Sequence, residues 1–357
     1  YKIPVFGLPK CRINIIVEYV DGTSARLVTD ESWRVSTDGP VRSNNEYDGE
    51  IYDARMEMAG WTEPGFDDLG WLRAERAALP DGTLRGQMTL AMRAGKAVNP
   101  LRIWSRGDTV MVDFGQNMAG WISFVPDGAP GDTVRVVYAE KLDANGRLYR
   151  ANLRDARAKD IYVCRGGEQR RWSPSFVYHG FRYAEITGLK NVAAAQPEAV
   201  PVADEMTVTG EFECSDTILN KVVRNAFHGI RSNYKGMPVD CPQRNERQPW
   251  LGDRTVGALG ESYLFGNERL YSKWTRDIRE AQREDGCIPD VAPAFWNYYT
   301  DDVTWPAALP FVCAMLQRQF GNDRPIADNY EAMARWMRHI LSEYSRDGIV
   351  TKDKYGD

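Results

Sequence analysis

The chain has 357 residues, 43% apolar and 27% charged, with a formal net charge of −5. That length accommodates two or three domains with a sizeable core, and an acidic balance without any basic run argues against a phosphate-backbone partner. No apolar run approaches the ~20 residues of a membrane-spanning helix, and six scattered cysteines without C-x-x-C spacing argue against a structural zinc site or a disulfide framework.

In chain order, residues 1–98 are expected to form a β-sandwich. Ile13, Ile15, Val17 and Tyr19 alternate, Asp21-Gly22 is a two-residue hairpin signal, and 25–28 opens the return strand. Residues 41–55 are polar, acidic and rich in turn formers, which predicts a loop, either solvated surface or part of a domain seam or sugar site. Residues 99–190 predict a second β-sandwich, because 110–114, 121–125, 133–138, 159–163 and 181–187 are short β-branched or aromatic runs separated by turns. His179 lies in an aromatic tract and reads as a structural histidine. Residues 191–206 are rich in Ala, Pro and Glu without a period, which predicts a linker.

From 207 onward the apolar period lengthens to three and four residues. Leu219, Val222, Val223, Ala226, Phe227 and Ile230 form one stripe behind the capping candidates Ser215 and Asp216, with Gly236 as a stop signal. Further helices are predicted over 255–265, from a cap at Asn267 with Leu270, Trp274, Ile278 and Ala281 on one face, over 307–320 and over 326–344. The C-terminal part, 207–357, is therefore all-α.

Between the first two of these helices lies a stretch that packing does not explain. Residues 237–253 hold Asp240, Glu246 and Asp253, Arg244 and Arg247, Trp250, and the prolines Pro238, Pro242 and Pro249, which forbid a continuous helix. Paired carboxylates beside an aromatic platform suit glycoside chemistry: one acid protonates a leaving oxygen, a second carboxylate activates water or attacks, and tryptophan stacks on the sugar. The same residues could equally form an ion-pair network that only shapes the loop.

The segment DCPQRNERQPWLGD (240–253) resembles the signature of bacterial α-L-rhamnosidases, glycoside hydrolase family 78. Residues 36–55, 113–121 and 178–188 resemble that family as well. The resemblance implies β-sandwich domains followed by a six-hairpin (α/α)6 catalytic barrel, and inverting hydrolysis of terminal α-L-rhamnosyl bonds in rhamnose-containing glycosides, oligosaccharides or polysaccharides. It implies Glu246 as general acid, Asp240, Trp250 and Asp253 at the rhamnose subsite with Arg244 in the same motif, and Trp305 as a further sugar-facing aromatic. No cofactor is implied; the acidic loops would tolerate Ca2+, but no EF-hand pattern is present. Asn245 stands where the motif commonly has Asp, and Gln248-Pro249 replaces a frequent Leu-Gly. Only about five helices of roughly 10–14 residues fit after Ser215, whereas six hairpins need twelve. The expectation is thus a piece of a longer enzyme whose general base lies beyond residue 357, with Asp290, Asp301 and Asp302 as weaker internal candidates. A non-catalytic carbohydrate-binding protein and a six-hairpin glycosidase for another sugar are the alternatives.

Overall fold

The computed structural model describes residues 10–79 and 82–351. Strands β1 (Asn14–Glu18) and β2 (Ser24–Val28) form the expected hairpin around Asp21-Gly22. The main sheet has nine strands: β3 (Val41–Asn45), β4 (Gly49–Asp53), β5 (Met92–Ala94), β6 (Arg102–Arg106), β7 (Thr109–Ser123), β8 (Thr133–Ala139), β9 (Lys159–Val163), β10 (His179–Thr187) and β11 (Glu198–Asp204). Its order is β3-β4-β9-β8-β10-β7-β11-β5, with β6 also on β7. Only β4 and β9 run parallel among these pairs. β-branched and aromatic side chains from alternate positions, including Val112, Phe114, Ile122, Val134, Val136, Phe181 and Ile186, close the core on one face.

Two expectations are corrected here. The acidic stretch 41–55 is not a loop: β3 and β4 extend the sheet of the second unit, so the boundary at 98 is crossed by backbone pairing. Its apolar period is hidden because β4 buries Glu50, whose carboxylate accepts from Ser175 N, Phe176 N and Asn44 Nδ2. The linker at 191–206 is instead one helical turn, Val192–Ala195, and strand β11. Pro201 sits where β11 passes from β7 to β5 as its partner, a position where a missing N–H is tolerated. The approach is close enough that a Cβ at Gly120 would lie 2.1 Å from Val200 O. His179 is structural, as expected. It is fully buried, its Nε2 is 3.1 Å from Asp160 Oδ1, and its ring stacks on Tyr138 at 4.2 Å.

The helices are α1 (Thr217–Ser232), α2 (Leu251–Ser262), α3 (Glu268–Ala281), α4 (Ala308–Phe320) and α5 (Arg324–Tyr344). Asp216 caps α1, its Oδ1 accepting from Ile218 N at 2.7 Å. α4 packs against α2, α3 and α5 around Leu251, Tyr271, Trp274, Ile278, Leu309, Val312, Trp336 and Ile340. α1 departs from expectation, because none of its residues is fully buried and Ile218, Leu219 and Val222 are exposed. Only its C-terminal end, through Phe227 and Ile230, packs on Phe265. Asn267 precedes α3 but does not cap it; its Nδ2 turns to the Tyr234 hydroxyl. Among the described residues no helix is long and apolar enough to cross a membrane.

Candidate active site

The loop between α1 and α2 is built against the β domain. Arg247, at φ 54 and 1% exposed, donates from Nη1 to the carbonyls of Glu46 (2.7 Å) and Tyr178 (2.8 Å) and from Nε to Arg244 O (3.2 Å). Its guanidinium lies 4.7 Å over the Tyr178 ring. Strand β10 approaches the loop so closely that a Cβ at Gly180 would stand 2.6 Å from Gln243 Cβ. The prolines stop the loop coiling into helix, and these contacts choose its shape.

That shape presents Glu246, 8% exposed. Its Oε2 accepts from Arg244 Nε at 2.6 Å and Arg154 Nη1 at 3.0 Å, and its Oε1 from Trp250 Nε1 at 3.1 Å. Its backbone carbonyl accepts from the Tyr47 hydroxyl at 3.0 Å and Gln248 Nε2 at 2.9 Å. Asp240 is tied down beside it. Its Oδ1 accepts from Gln248 N at 2.6 Å, and Arg244 lies 3.6 Å from its Oδ2. Burial raises the Asp240 carboxyl above its ordinary range, opposed by hydrogen bonds from Cys241 and Gln248. Burial and Asp240 together push the Cys241 thiol up to about 12. Carboxylate oxygens of Asp240 and Glu246 and the Cys241 sulfur lie within 4.8 Å of one another, but Arg244 and Arg154 already supply the positive charge that a cation there would bring.

The two tryptophans expected at the site are fixed differently. Trp250 stacks on Tyr298 at 5.6 Å with Trp296 edge-on at 6.1 Å. Trp305 lies across the first turn of α2, where a Cβ at Gly252 would meet its ring at 2.4 Å. Asp253 does not join the Glu246 cluster. It is exposed on the first turn of α2, with no hydrogen bond or ion pair among the described residues, a place where negative charge favours the helix.

Three domain models match the chain: the α-L-rhamnosidase N-terminal domain over 4–96, the bacterial α-L-rhamnosidase concanavalin-like domain over 104–207, and the bacterial α-L-rhamnosidase six-hairpin glycosidase domain over 207–357. The chain belongs to the bacterial α-L-rhamnosidase family. It is 36% identical to an α-L-rhamnosidase of Streptomyces avermitilis over 98% of this chain and 34% of that one. It is also 36% identical to one from Formosa agariphila, over 99% of this chain and 38% of that one. The chain therefore spans little more than a third of the length of these curated relatives. A solved α-L-rhamnosidase from Dictyoglumus thermophilum superposes with TM-score 0.92 at 34% identity, over 99% of this chain and 42% of that one. The Streptomyces avermitilis α-L-rhamnosidase complexed with L-rhamnose superposes with TM-score 0.91 at 36% identity, over 96% and 34%.

Several residues that shape this loop escaped the sequence reading. Arg154 follows a single 3-10 turn in the β domain, at φ 55 and ψ −121, and reaches Glu246 from there. Asp155, its neighbour, accepts from Asn245 Nδ2 at 3.3 Å. This accounts for Asn245 in place of the motif's common aspartate: an acid there would face the Asp155 carboxylate. Tyr47, Trp296 and Tyr298 were also missed, and only the aromatic density of 295–299 hinted at the last two. Each internal candidate for a base already accepts hydrogen bonds from its own surroundings. Both Asp290 oxygens accept from Thr300 Oγ1, Asp301 accepts from His339 and Tyr344, and Asp302 accepts from the N–H groups of Thr304 and Trp305.

Proposed function

We propose that the full-length protein hydrolyses terminal α-L-rhamnosyl bonds, with Glu246 giving its proton to the glycosidic oxygen and the sugar held by Asp240, Arg244, Trp250, Asp253 and Trp305. The observation that carries this reading is the setting of Glu246, a single carboxylate presented by a proline-framed loop with three donors fixed on its two oxygens. When the proton leaves, the new carboxylate forms among donors already in place. Arg154, Arg244 and Trp250 thus stabilise the charge that develops in the transition state without reorganising at that moment. The L-rhamnose in the Streptomyces avermitilis relative supports a rhamnosyl group as the sugar recognised.

Inversion needs a second carboxylate roughly 6.5–9.5 Å from the acid, leaving room for a water. Asp240 approaches Glu246 within 4.8 Å and is held by Gln248 N and Arg244, so we assign it to a sugar hydroxyl, and the base to a carboxylate outside this pair. The test is proton NMR of the full-length protein acting on α-L-rhamnosides. β-Rhamnose is expected first; α-rhamnose first would overturn the assignment and make Asp240 the nucleophile. Glu246→Gln should lose about 10²–10⁴-fold in turnover of a rhamnosyl disaccharide. It should lose much less with an activated aryl aglycone, whose oxygen needs little protonation. Equal losses on both substrates would remove Glu246 from the acid role.

A further inference from the structure

A second cluster of reactive side chains lies in the helical domain, among residues to which the proposed hydrolysis gives no role. Cys287 Sγ, an Asp301 carboxylate oxygen and a His339 ring nitrogen all lie within 4.8 Å of one another. They come from three places: the segment after α3, the segment before α4, and α5 itself. Gly286 brings the first against the third, since a Cβ there would meet Arg335 O at 2.7 Å and His339 Cβ at 3.0 Å. Asp301 is held in the left-handed region, at φ 59. In that conformation its carboxylate gathers three donors: His339 Nε2 at 2.8 Å on Oδ1, Tyr344 Oη at 2.5 Å on Oδ2, and the Cys287 thiol. Burial works against charge on Asp301, yet those hydrogen bonds hold its carboxyl below the usual range. Cys287 is buried, while the Asp301 and His339 side chains are 22% and 10% exposed, so solvent reaches one side of the cluster.

We propose that Cys287, Asp301 and His339 form a site for one Zn2+-type divalent cation, with water in the fourth position. One thiolate, one imidazole and one carboxylate are a borderline-soft donor set, which selects zinc and its neighbours over Ca2+ or Mg2+. Tetrahedral bonds of about 2.0–2.3 Å place ligand atoms roughly 3.5 Å apart. The cluster therefore reaches coordination geometry by shifts of about an ångström: the His339–Asp301 contact opens and the Cys287 sulfur closes in. On binding, the cation replaces the protons now shared with Asp301. Cys287 gives up its thiol proton to solvent, His339 binds through neutral Nε2, and Tyr344 keeps its hydrogen bond to the carboxylate as an outer partner. Because the thiol must lose its proton to ligate, binding strengthens as pH rises. The bound ion ties 287–301, the segment carrying Trp296 and Tyr298, to α5. Linear spacing hid the site, because its ligands are far apart in the chain and match no short metal motif.

The test is Co2+ titration of the purified full-length protein, read by its visible and near-ultraviolet spectrum. Saturation at one equivalent is expected, with a thiolate-to-cobalt charge-transfer band that Zn2+ abolishes and Ca2+ leaves unchanged. Cys287→Ser should lose the band, and His339→Gln should weaken binding by at least tenfold while both variants keep wild-type circular dichroism. Because the first reading is made on the unmutated protein, it does not depend on a variant folding. Absence of the band in the wild type, or its persistence in Cys287→Ser through Cys11 or Cys214, would overturn the proposal.

Discussion

Replacing Arg247 probes the way the loop is held. The side chain is 1% exposed, and its guanidinium makes three short bonds to the carbonyls of Glu46, Tyr178 and Arg244. Hydrogen bonds from a charged donor contribute about 1.5–3 kcal/mol each, and orphaning a buried acceptor costs about 1–3 kcal/mol. These contributions are not additive, and some orphaned carbonyls will find water. Arg247→Met should therefore cost about 4–5 kcal/mol rather than their sum. Arg247→Lys keeps the charge but has a compact ammonium that cannot serve at once the carbonyls reached by Nη1 and by Nε. It should satisfy one of them and cost about 2–3 kcal/mol. The assay is urea unfolding followed by both tryptophan fluorescence and far-ultraviolet circular dichroism, with the midpoint shift converted at constant slope. A lysine variant within ~0.5 kcal/mol of wild type would show that charge alone, not the fork spanning the domain seam, holds the loop.

Other perturbations test the remaining parts of the site. Gly252→Ala should displace Trp305, whose ring lies 2.4 Å from the new methyl position; the cost is about 1–3 kcal/mol of stability, and KM for a rhamnoside should rise, so an unchanged KM would remove Trp305 from the subsite. Asn245→Asp should place two carboxylates together with Asp155, and Asp155→Asn in the same chain should restore at least half of any lost stability, as a double-mutant cycle would show. Burial lowers Lys235 to about 7, with Asp204 opposing and Arg247 assisting the shift. Between about 7 and the ordinary lysine range the unfolded chain holds more protons than the folded one, so this residue makes stability rise with pH across that window. Lys235→Met should flatten the slope of unfolding free energy against pH there, and an unaltered slope would mean that the folded lysine titrates normally.

The sequence showed most clearly what depends on local periodicity. The strands at 110–114, 133–138 and 159–163 and the helices over 307–320 and 326–344 carry enough apolar repeats to be recognised alone. The strand at 198–204 does not: its Ala and Pro composition mimics a linker, and pairing to β7 and β5 overrides that local preference. Strands β3 and β4 fail for a related reason, since they bury Glu50 rather than a run of aliphatic side chains. α1 errs in the opposite direction. Its apolar stripe is real, but Leu219, Val222 and Ala226, half of it, lie exposed. Within the site, the loop residues could be named because they are contiguous, whereas Arg154, Asp155 and Tyr47 are brought to Asn245 and Glu246 by chain folding from about 90–200 positions away. No window of sequence contains both sides of those contacts.

This division has a consequence for how the acid is positioned. If the helical domain alone shaped the loop, its buried groups would find partners on α1 to α5. Instead Arg247 bonds to carbonyls at 46 and 178, the Glu246 carbonyl accepts from Tyr47, and the Glu246 carboxylate accepts from Arg154. All four partners belong to the strand-rich part of the chain. The close approach of Gly180 to Gln243 lies on the same seam. Arg247 and Arg154 both adopt left-handed φ values that cost free energy unless surrounding contacts impose them, and here those contacts come from opposite sides of the seam. The β domain therefore supplies one side of the contacts that hold Glu246, and a change in how the two domains dock would move the acid even where every residue of its own loop is unchanged.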